Sequence, residues 1–280
     1  MLTGCNNPSA SILDEHQTVS YTDDYGTTVE IPAHPTRIVS TSPAVTEIIF
    51  ALGGDSLLVG RTDFCTYPAE VSGVESIGGI SNLNIEKIMS LKPDLVISGS
   101  MIPKKSTIQM AKMGVPTVCV IEQKHYEGLY DNISKIGQLI GCSAAADSLN
   151  DLLRSQLADL DIISHSDQPK SVYYVVGFGA AGNFTAGGDS FINDIIKMAG
   201  GRNIAENVTG WSYSLETLMN QNPDYIVIRK EDSAIFCGMT PYNQLQAVKK
   251  GHVIGIESGL IDVQVPRNTE AIQFLARRLH

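Results

Sequence analysis

Long apolar runs are missing from this sequence. No stretch approaches the roughly 20 residues that a membrane-crossing helix needs. The most apolar segments, such as "VTEIIFALGG" (45–54), are short and end in glycine. Positive charge is scarce: 20 Lys and Arg against 30 Asp and Glu leave a net charge of −10. That excludes the basic footprint required for nucleic acid and argues against an anionic lipid surface. The cysteines at 5, 65, 119, 142 and 237 form no C-x-x-C pair and no metal knuckle. Cys119, inside an apolar run, reads as a small core residue. The histidines (16, 34, 125, 165, 252, 280) are scattered, and no bare-metal site is expected. Only His125 falls in a loop of interest, where it reads as a solvated residue. There is no G-x-S-x-G and no H-E-x-x-H, so the common hydrolytic motifs are absent.

What is present is a repeated alternation. With 43% hydrophobic and 18% charged residues, the composition is that of a soluble globular protein. "VSYTDDYGTTVEI" reads as a hairpin turning at Asp24–Gly26. After it, strand-like runs ("RIVST", "LLVGRT", "PDLVISGS", "PTVCVIE") alternate with helical ones ("AVTEIIFALGG", "NIEKIMSL", "STIQMAKMG", "YEGLYDNISKIGQLIG"). The second half repeats the scheme. Strands are expected at "SVYYVVG", "DYIVIRK" and "HVIGIE", and helices at "SFINDIIKMAGG", "SLETLMNQN", "YNQLQAVKKG" and "PRNTEAIQFLARRLH". Such alternation predicts parallel sheets covered by helices. One unit occurs twice: "NIEKIMSLKPDLVIS" (84–98) returns as "SLETLMNQNPDYIVI" (214–228), with Glu, Met, Pro and Asp in register at a constant offset of 130. The proline should stop the helix and push the residue before it out of the α region. Between the copies, residues 143–165 carry Leu149, Leu152, Leu153, Leu157 and Leu160 on one helix face, with no Gly or Pro. The expected fold is therefore α/β: two Rossmann-like lobes with mainly parallel sheets, joined by one long helix, with a ligand cleft between the lobes. The expected divisions are a tether (1–17), an N-terminal lobe (18–142), a bridging helix (143–166) and a C-terminal lobe (167–280).

In open parallel sheets, ligands bind beyond the carboxyl ends of the strands. The loops at those ends carry Ser42, Arg61, Phe64, Tyr67, Tyr126, Phe178, Phe184, Trp211, Arg229 and Arg267. Aromatic walls with a few cations suit a bulky, flat, partly anionic small molecule. Singly, each aromatic reads as a plug at the end of the core; their concentration in these loops points to binding. Gly177, Gly179 and Gly182 spell G-x-G-x-x-G after a strand. A dinucleotide site needs the third glycine in the first turn of a helix. Here "NFTAGGDS" intervenes, and Glu206 falls outside any expected strand end. An NAD-dependent oxidoreductase using these glycines is the alternative reading.

Near the N-terminus, Leu2-Thr3-Gly4-Cys5 matches a bacterial lipobox, with Cys5 as the lipidated residue and a polar tether after it. From about Tyr21 onward the chain resembles the substrate-binding proteins of bacterial ABC importers for metal chelates: ferric siderophores, haem and cobalamin. The resemblance is carried by "RIVSTSPAVTEIIFALG", "VGRTDFCTYPAEV", "NIEKIMSLKPDLVI", "MGVPTV", "FTAGGDSFINDIIKMAGGRNIA", "GWSYSLETLMNQNPDYIVI" and "VPRNTEAI".

The resemblance implies two α/β lobes bridged by one long helix and no enzymatic activity; the stiffness of that helix would limit hinge closure, so the cleft is expected to be largely preformed. It also implies an extracytoplasmic, lipid-anchored monomer that binds no nucleic acid and needs no cofactor of its own. Its partners would be a metal chelate and a permease dimer with its ATPase. A glutamate of each lobe would dock on the permease, by motif Glu86 and Glu216; either acid also suits the first turn of a helix capped by Asn84 or Ser214. In the cobalamin-binding branch an aromatic of the "YP" loop and a tryptophan before the second glutamate line the cleft. Phe64 and Trp211 hold those places. Where that branch has another tryptophan this chain has Ile80, and Trp211 is five rather than six residues before Glu216. A sensor or scaffold without transport is a third reading.

Overall fold

The computed structural model describes residues 17–102, 104–161 and 168–280. They fall into two compact units: one runs to Glu122 and includes Gly128–Leu152; the other takes Gln123–Glu127 and Leu153–His280.

The first unit opens with an antiparallel hairpin, β1 (Thr18–Thr22) and β2 (Thr28–Pro32). Four parallel strands follow: β3 (Ile38–Ser40), β4 (Leu58–Arg61), β7 (Leu95–Ser98) and β8 (Thr117–Cys119). A two-residue-per-strand hairpin, β5 (Gly78–Gly79) and β6 (Asn82–Leu83), lies between β4 and β7 in sequence. The helices are α1 (Pro43–Ala51), α2 (Ile85–Ser90), α3 (Lys104–Lys112) and α4 (Gly128–Leu139); α5 (Ser143–Asp161) begins in this unit and passes at Leu152–Leu153 into the second. The sheet order is β4-β3-β7-β8. β7 is buried along its whole length, as a strand covered on both faces must be.

The second unit has strands β9 (Lys170–Val175), β10 (Gly201–Asn203), β11 (Tyr225–Arg229) and β12 (Val253–Ile256), parallel in the order β10-β9-β11-β12. Its helices are α6 (Phe191–Met198), α7 (Leu215–Gln221), α8 (Ser233–Gly238), α9 (Gln246–Lys249) and α10 (Asn268–Leu279). Both sheets follow one plan: second strand, first, third, fourth. The duplication read from 84–98 and 214–228 is thus a duplication of topology.

The repeated Pro-Asp explains how each sheet is registered. α2 and α7 begin alike, with Asn84 Oδ1 accepting from Lys87 N–H and Ser214 Oγ accepting from Thr217 N–H, each at 2.9 Å. They also end alike. Lys92 (φ 49°) and Asn222 (φ 44°) are the two non-glycine residues with positive φ among the described residues. The residue before each proline is thus left-handed, not extended as the sequence suggested. The chain then turns directly into the third strand. The aspartate reaches sideways to the first strand: Asp94 accepts from Thr36 N–H (2.7 Å), Thr36 Oγ1 (2.9 Å) and Arg37 N–H (3.0 Å). Asp224 accepts from Ser171 N–H (2.9 Å) and Ser171 Oγ (2.7 Å). Arg37 and Ser171 are equivalent, each one residue before the pairings Ile38↔Leu95 and Val172↔Tyr225. One carboxylate therefore joins first and third strands at the foot of each sheet.

The hairpin tip protects the edge of the first sheet, where unpaired backbone groups would otherwise invite another strand. Asp24 N–H donates to Cys119 O (3.1 Å), Cys119 N–H to Asp23 Oδ2 (3.3 Å) and Ile121 N–H to Asp24 Oδ2 (2.8 Å). Lys135 balances Asp24 at 2.5 Å.

Two elements lie where the sequence predicts none, and one expected helix is broken. β10, "GRN", carries no strand-like pattern; it is held by Asn203, fully buried, whose side chain bonds Ala186 O and Ala205 N–H. α8 (Ser233–Gly238) is the second, capped onto the end of β11 by the short turn at Arg229–Asp232. The single helix expected at "YNQLQAVKKG" is broken into a 3-10 turn, Tyr242–Gln244, and α9. Leu245 between them is extended (ψ 140°) and fully buried, and Asn222 Oδ1 takes the freed Gln246 N–H.

The Ser171 hydroxyl and amide hold the Asp224 carboxyl below the usual carboxylate range. Its folded pKa is depressed, so its stabilisation is complete above the unfolded value of about 3.9 and is lost as pH falls toward the folded one. Asp224→Ala is expected to lower stability by about 1–2 kcal/mol at neutral pH. In urea melts the difference from the parent chain should shrink on acidification; a constant difference would contradict the clamp.

Candidate functional site

In the first unit the order of strands reverses between β3 and β7, and the loops above that point are tightly tied. Thr46 Oγ1 donates to Ser40 Oγ (2.8 Å) and contacts Cys65 Sγ (3.2 Å), and Thr62 Oγ1 reaches the same sulfur (3.3 Å). Ser42, at the N-cap of α1, is buried. Anchoring Cys65 leaves its neighbour Phe64 outside: the ring is 60% exposed, and Tyr67 is exposed too. Phe64 lies over the β5–β6 turn, where a Cβ on Gly79 would meet its Cε2 at 3.7 Å. Ile80, next in that turn, is buried, so this position faces the core. Arg61 is half-buried; its Nη1 donates to Thr62 O (3.1 Å), while its Nε is buried without a hydrogen-bond partner.

In the second unit the glycine run has a different use from phosphate binding. It opens no helix: α6 begins only at Phe191, after a short 3-10 turn at Gly179–Ala181. Instead the chain folds back. Gly177 and Phe184 exchange backbone hydrogen bonds (3.2 and 2.9 Å), and Phe184 pairs in turn with Ser212. The Phe184 ring lies on the glycines: a Cβ on Gly177 would meet its Cδ2 at 3.1 Å, and one on Gly182 its Cε2 at 3.5 Å. Glycine thus seats an aromatic ring whose other side is open, as Gly79 does for Phe64. Thr185 N–H donates to Trp211 O (2.8 Å), which places the half-exposed Trp211 on the strand beside Phe184. Phe178 turns the other way, edge-on to Phe236 and Tyr242 at 5.2 and 5.8 Å between centroids. It packs against the core.

Arg229 ends β11 beside the reversal point of this sheet, and its Nε donates to Asp262 Oδ2 (2.9 Å). Asp262 Oδ1 accepts from the Tyr174 hydroxyl. Burial, then the Asp262 charge, push the Tyr174 phenol well above its ordinary pKa, so it stays protonated as a donor. Arg267 caps α10 and lies against Gly259, with Nη2 3.2 Å from where a Cβ there would stand. Asn268, fully buried, fixes the loop before it: its Nδ2 donates to Leu260 O (2.7 Å) and Val263 O (2.9 Å), and its Oδ1 accepts from Val265 N–H (2.8 Å).

Glu86 and Glu216 stand in the first turns of α2 and α7, each exposed. Lys87, beside Glu86, is drawn away into a 2.6 Å pair with Glu75. His125 is not simply solvated: its Nδ1 is 3.2 Å from Asp194 Oδ2, which also accepts from Tyr126 N–H (3.0 Å). Cys5 lies outside the described residues. The four described cysteines are free. Sequence reading missed Asp262, Tyr174 and Asn268. In the "VPRN" segment the sequence points to Arg267; the asparagine after it is of the residue type that organises loops, and that is the available signal.

Known proteins share the fold and the family. The family model described as periplasmic binding protein matches residues 38–260. An uncharacterized ABC transporter substrate-binding lipoprotein, YvrC, of Bacillus subtilis is 32% identical, over 100% of this chain and 93% of that one. A cobalamin-binding protein of Halobacterium salinarum is 28% identical, over 94% of this chain and 74% of that one. Among solved structures, the periplasmic heme-binding protein RhuT of Roseiflexus sp. RS-1 superposes with a TM-score of 0.79 at 23% identity. The superposition covers 87% of this chain and 97% of that one, and it shows a common fold.

Gly177→Ala is expected to dislodge the Phe184 ring, because a 3.1 Å approach is tighter than an ordinary contact. Phe184 is partly exposed and has room to yield, so the loss of stability should stay near 1 kcal/mol or below. Altered near-ultraviolet circular dichroism with a cooperative melt is the expected result; an unchanged aromatic signal would show that the ring does not depend on this glycine.

Proposed function

Since the chain belongs to the periplasmic binding protein family, we propose that it is the extracytoplasmic substrate-binding component of an ABC importer and that its cargo is a metal chelate. The observation that carries the cargo is the set of rings left open to solvent. Phe64, Tyr67, Phe184 and Trp211 are all exposed, although a large aromatic side chain loses more by facing water than most residues. Two of them rest on glycine, which leaves a flat face available. Each unit pairs open aromatic faces with an arginine in the loops at the carboxyl end of its sheet, Arg61 in the first and Arg229 in the second, and such faces suit a wide, rigid, partly polar guest such as a corrinoid, a haem or a ferric siderophore. The chelate is cargo, bound and released unchanged. Glu86 and Glu216, at equivalent places in the duplicated unit, would address the permease. Lipidation at Cys5 would hold the protein at the membrane surface.

A thermal-shift and visible-absorption screen with cyanocobalamin, haemin and several ferric siderophores tests the cargo. A ligand at 100 times its Kd adds about 2.7 kcal/mol of stability, enough to raise the melting temperature measurably. Phe184→Ala and Trp211→Ala should each weaken the responding ligand about tenfold. Silence from every chelate would remove the proposal.

Reversing both acids, Glu86→Lys with Glu216→Lys, should abolish uptake in cells that carry the cognate permease while chelate affinity stays unchanged. Loss of affinity instead would place these residues in the ligand site and contradict the docking role.

A further inference from the structure

The hydrogen-bonded chain Tyr174–Asp262–Arg229 lies at the carboxyl end of the second unit's sheet. Arg229 stands beside the point where strand order reverses, the place where open α/β sheets bind ligands. Both Asp262 oxygens are engaged by protein donors, Tyr174 and Arg229. The Arg229 side chain remains 35% exposed, and among the described residues its one hydrogen bond is that of Nε to Asp262, so its Nη groups are open. The guanidinium charge is matched by Asp262, and Asp232 acts on it as a second negative charge.

Resting on the chelate-binding reading above, we propose that this chain is a charge-matched donor fork, which selects an uncharged carbonyl on the guest, such as a carboxamide, over a carboxylate. A carboxamide oxygen receives the directional Nη–H bonds at modest desolvation cost. A carboxylate pays a much larger desolvation cost, and the Arg229 attraction that would offset it is already spent on Asp262. A carboxylate also meets the like charge of Asp262. The fork is rigid. Tyr174 is fully buried, and Asn268 fixes the loop that carries Asp262, so the donors are set before the guest arrives. Asp262 is thus a positioning residue, acting through Arg229.

The test compares matched guests: cyanocobalamin, whose corrin edge carries carboxamides, and its monocarboxylic acids, in which one carboxamide is hydrolysed. Calorimetric titration of the full chain should show at least one acid isomer bound about tenfold or more weakly than the parent. Asp262→Asn should shrink that ratio several-fold, and Tyr174→Phe should shift it in the same direction by less. A merely structural role for Asp262 would lower the melting temperature and weaken all guests alike without moving the ratio. Equal binding of parent and acids, or an unchanged ratio in Asp262→Asn, overturns the fork. Binding of haemin or a ferric siderophore but not cyanocobalamin overturns it and leaves the chelate reading standing. Binding of no chelate removes both.

Discussion

At the foot of each sheet one carboxylate decides where everything above it can lie. Asp94 and Asp224 each bridge from the start of the third strand to the residue before the first, fixing the register of the central pair. That pair is where strand order reverses, so its carboxyl ends diverge and leave room for loops to carry function. A slip of one residue would exchange the two faces of a strand and expose a core as apolar as "LVIS" or "YIVI". The clamp costs little in sequence: a proline that ends the helix, an aspartate, and a left-handed residue before them.

Above the clamps, the two units solve one problem with different residues. Each must hold a large ring against solvent without letting it collapse into the core. In the first unit a buried sulfur, gripped by two threonine hydroxyls, pins the residue beside Phe64. In the second, a folded-back ribbon places Phe184 over two glycines and Trp211 on the neighbouring strand. Rings so placed are preorganised, and a rigid apolar face binds a flat guest with little ordering cost. The polar complement is equally fixed, because the Arg229 fork is built from buried or clamped groups.

Much of this was legible from sequence, and the reasons are physical. Repeated "PDLVIS" and "PDYIVI" announce buried parallel strands because a strand covered on both faces must be apolar throughout. The duplicated Glu–Met–Pro–Asp spacing was visible because helix caps and helix breakers are local signals. β10 was invisible because its three residues owe their strand to a buried asparagine and not to hydrophobicity. The break at Leu245 depends on Asn222 Oδ1 accepting from Gln246 N–H, 24 positions away in sequence. The glycine run suggested a phosphate cradle or nothing, since spacing alone cannot distinguish a helix start from a seat for a ring. Arg229 was legible as a cation but not as a matched one, because Asp262 and Tyr174 meet it only in the folded chain.

The exposed rings of the second unit, Phe184 and Trp211, are proposed to contact a flat metal chelate. Trp211 is the only tryptophan and is half-exposed, so its emission reports on that surface alone. Titration of the protein with the chelate that binds should quench Trp211 fluorescence saturably, with one molecule bound per chain and the same Kd as found by absorption. Saturable binding that leaves Trp211 emission untouched would place the guest elsewhere and rule out these rings as its binding surface.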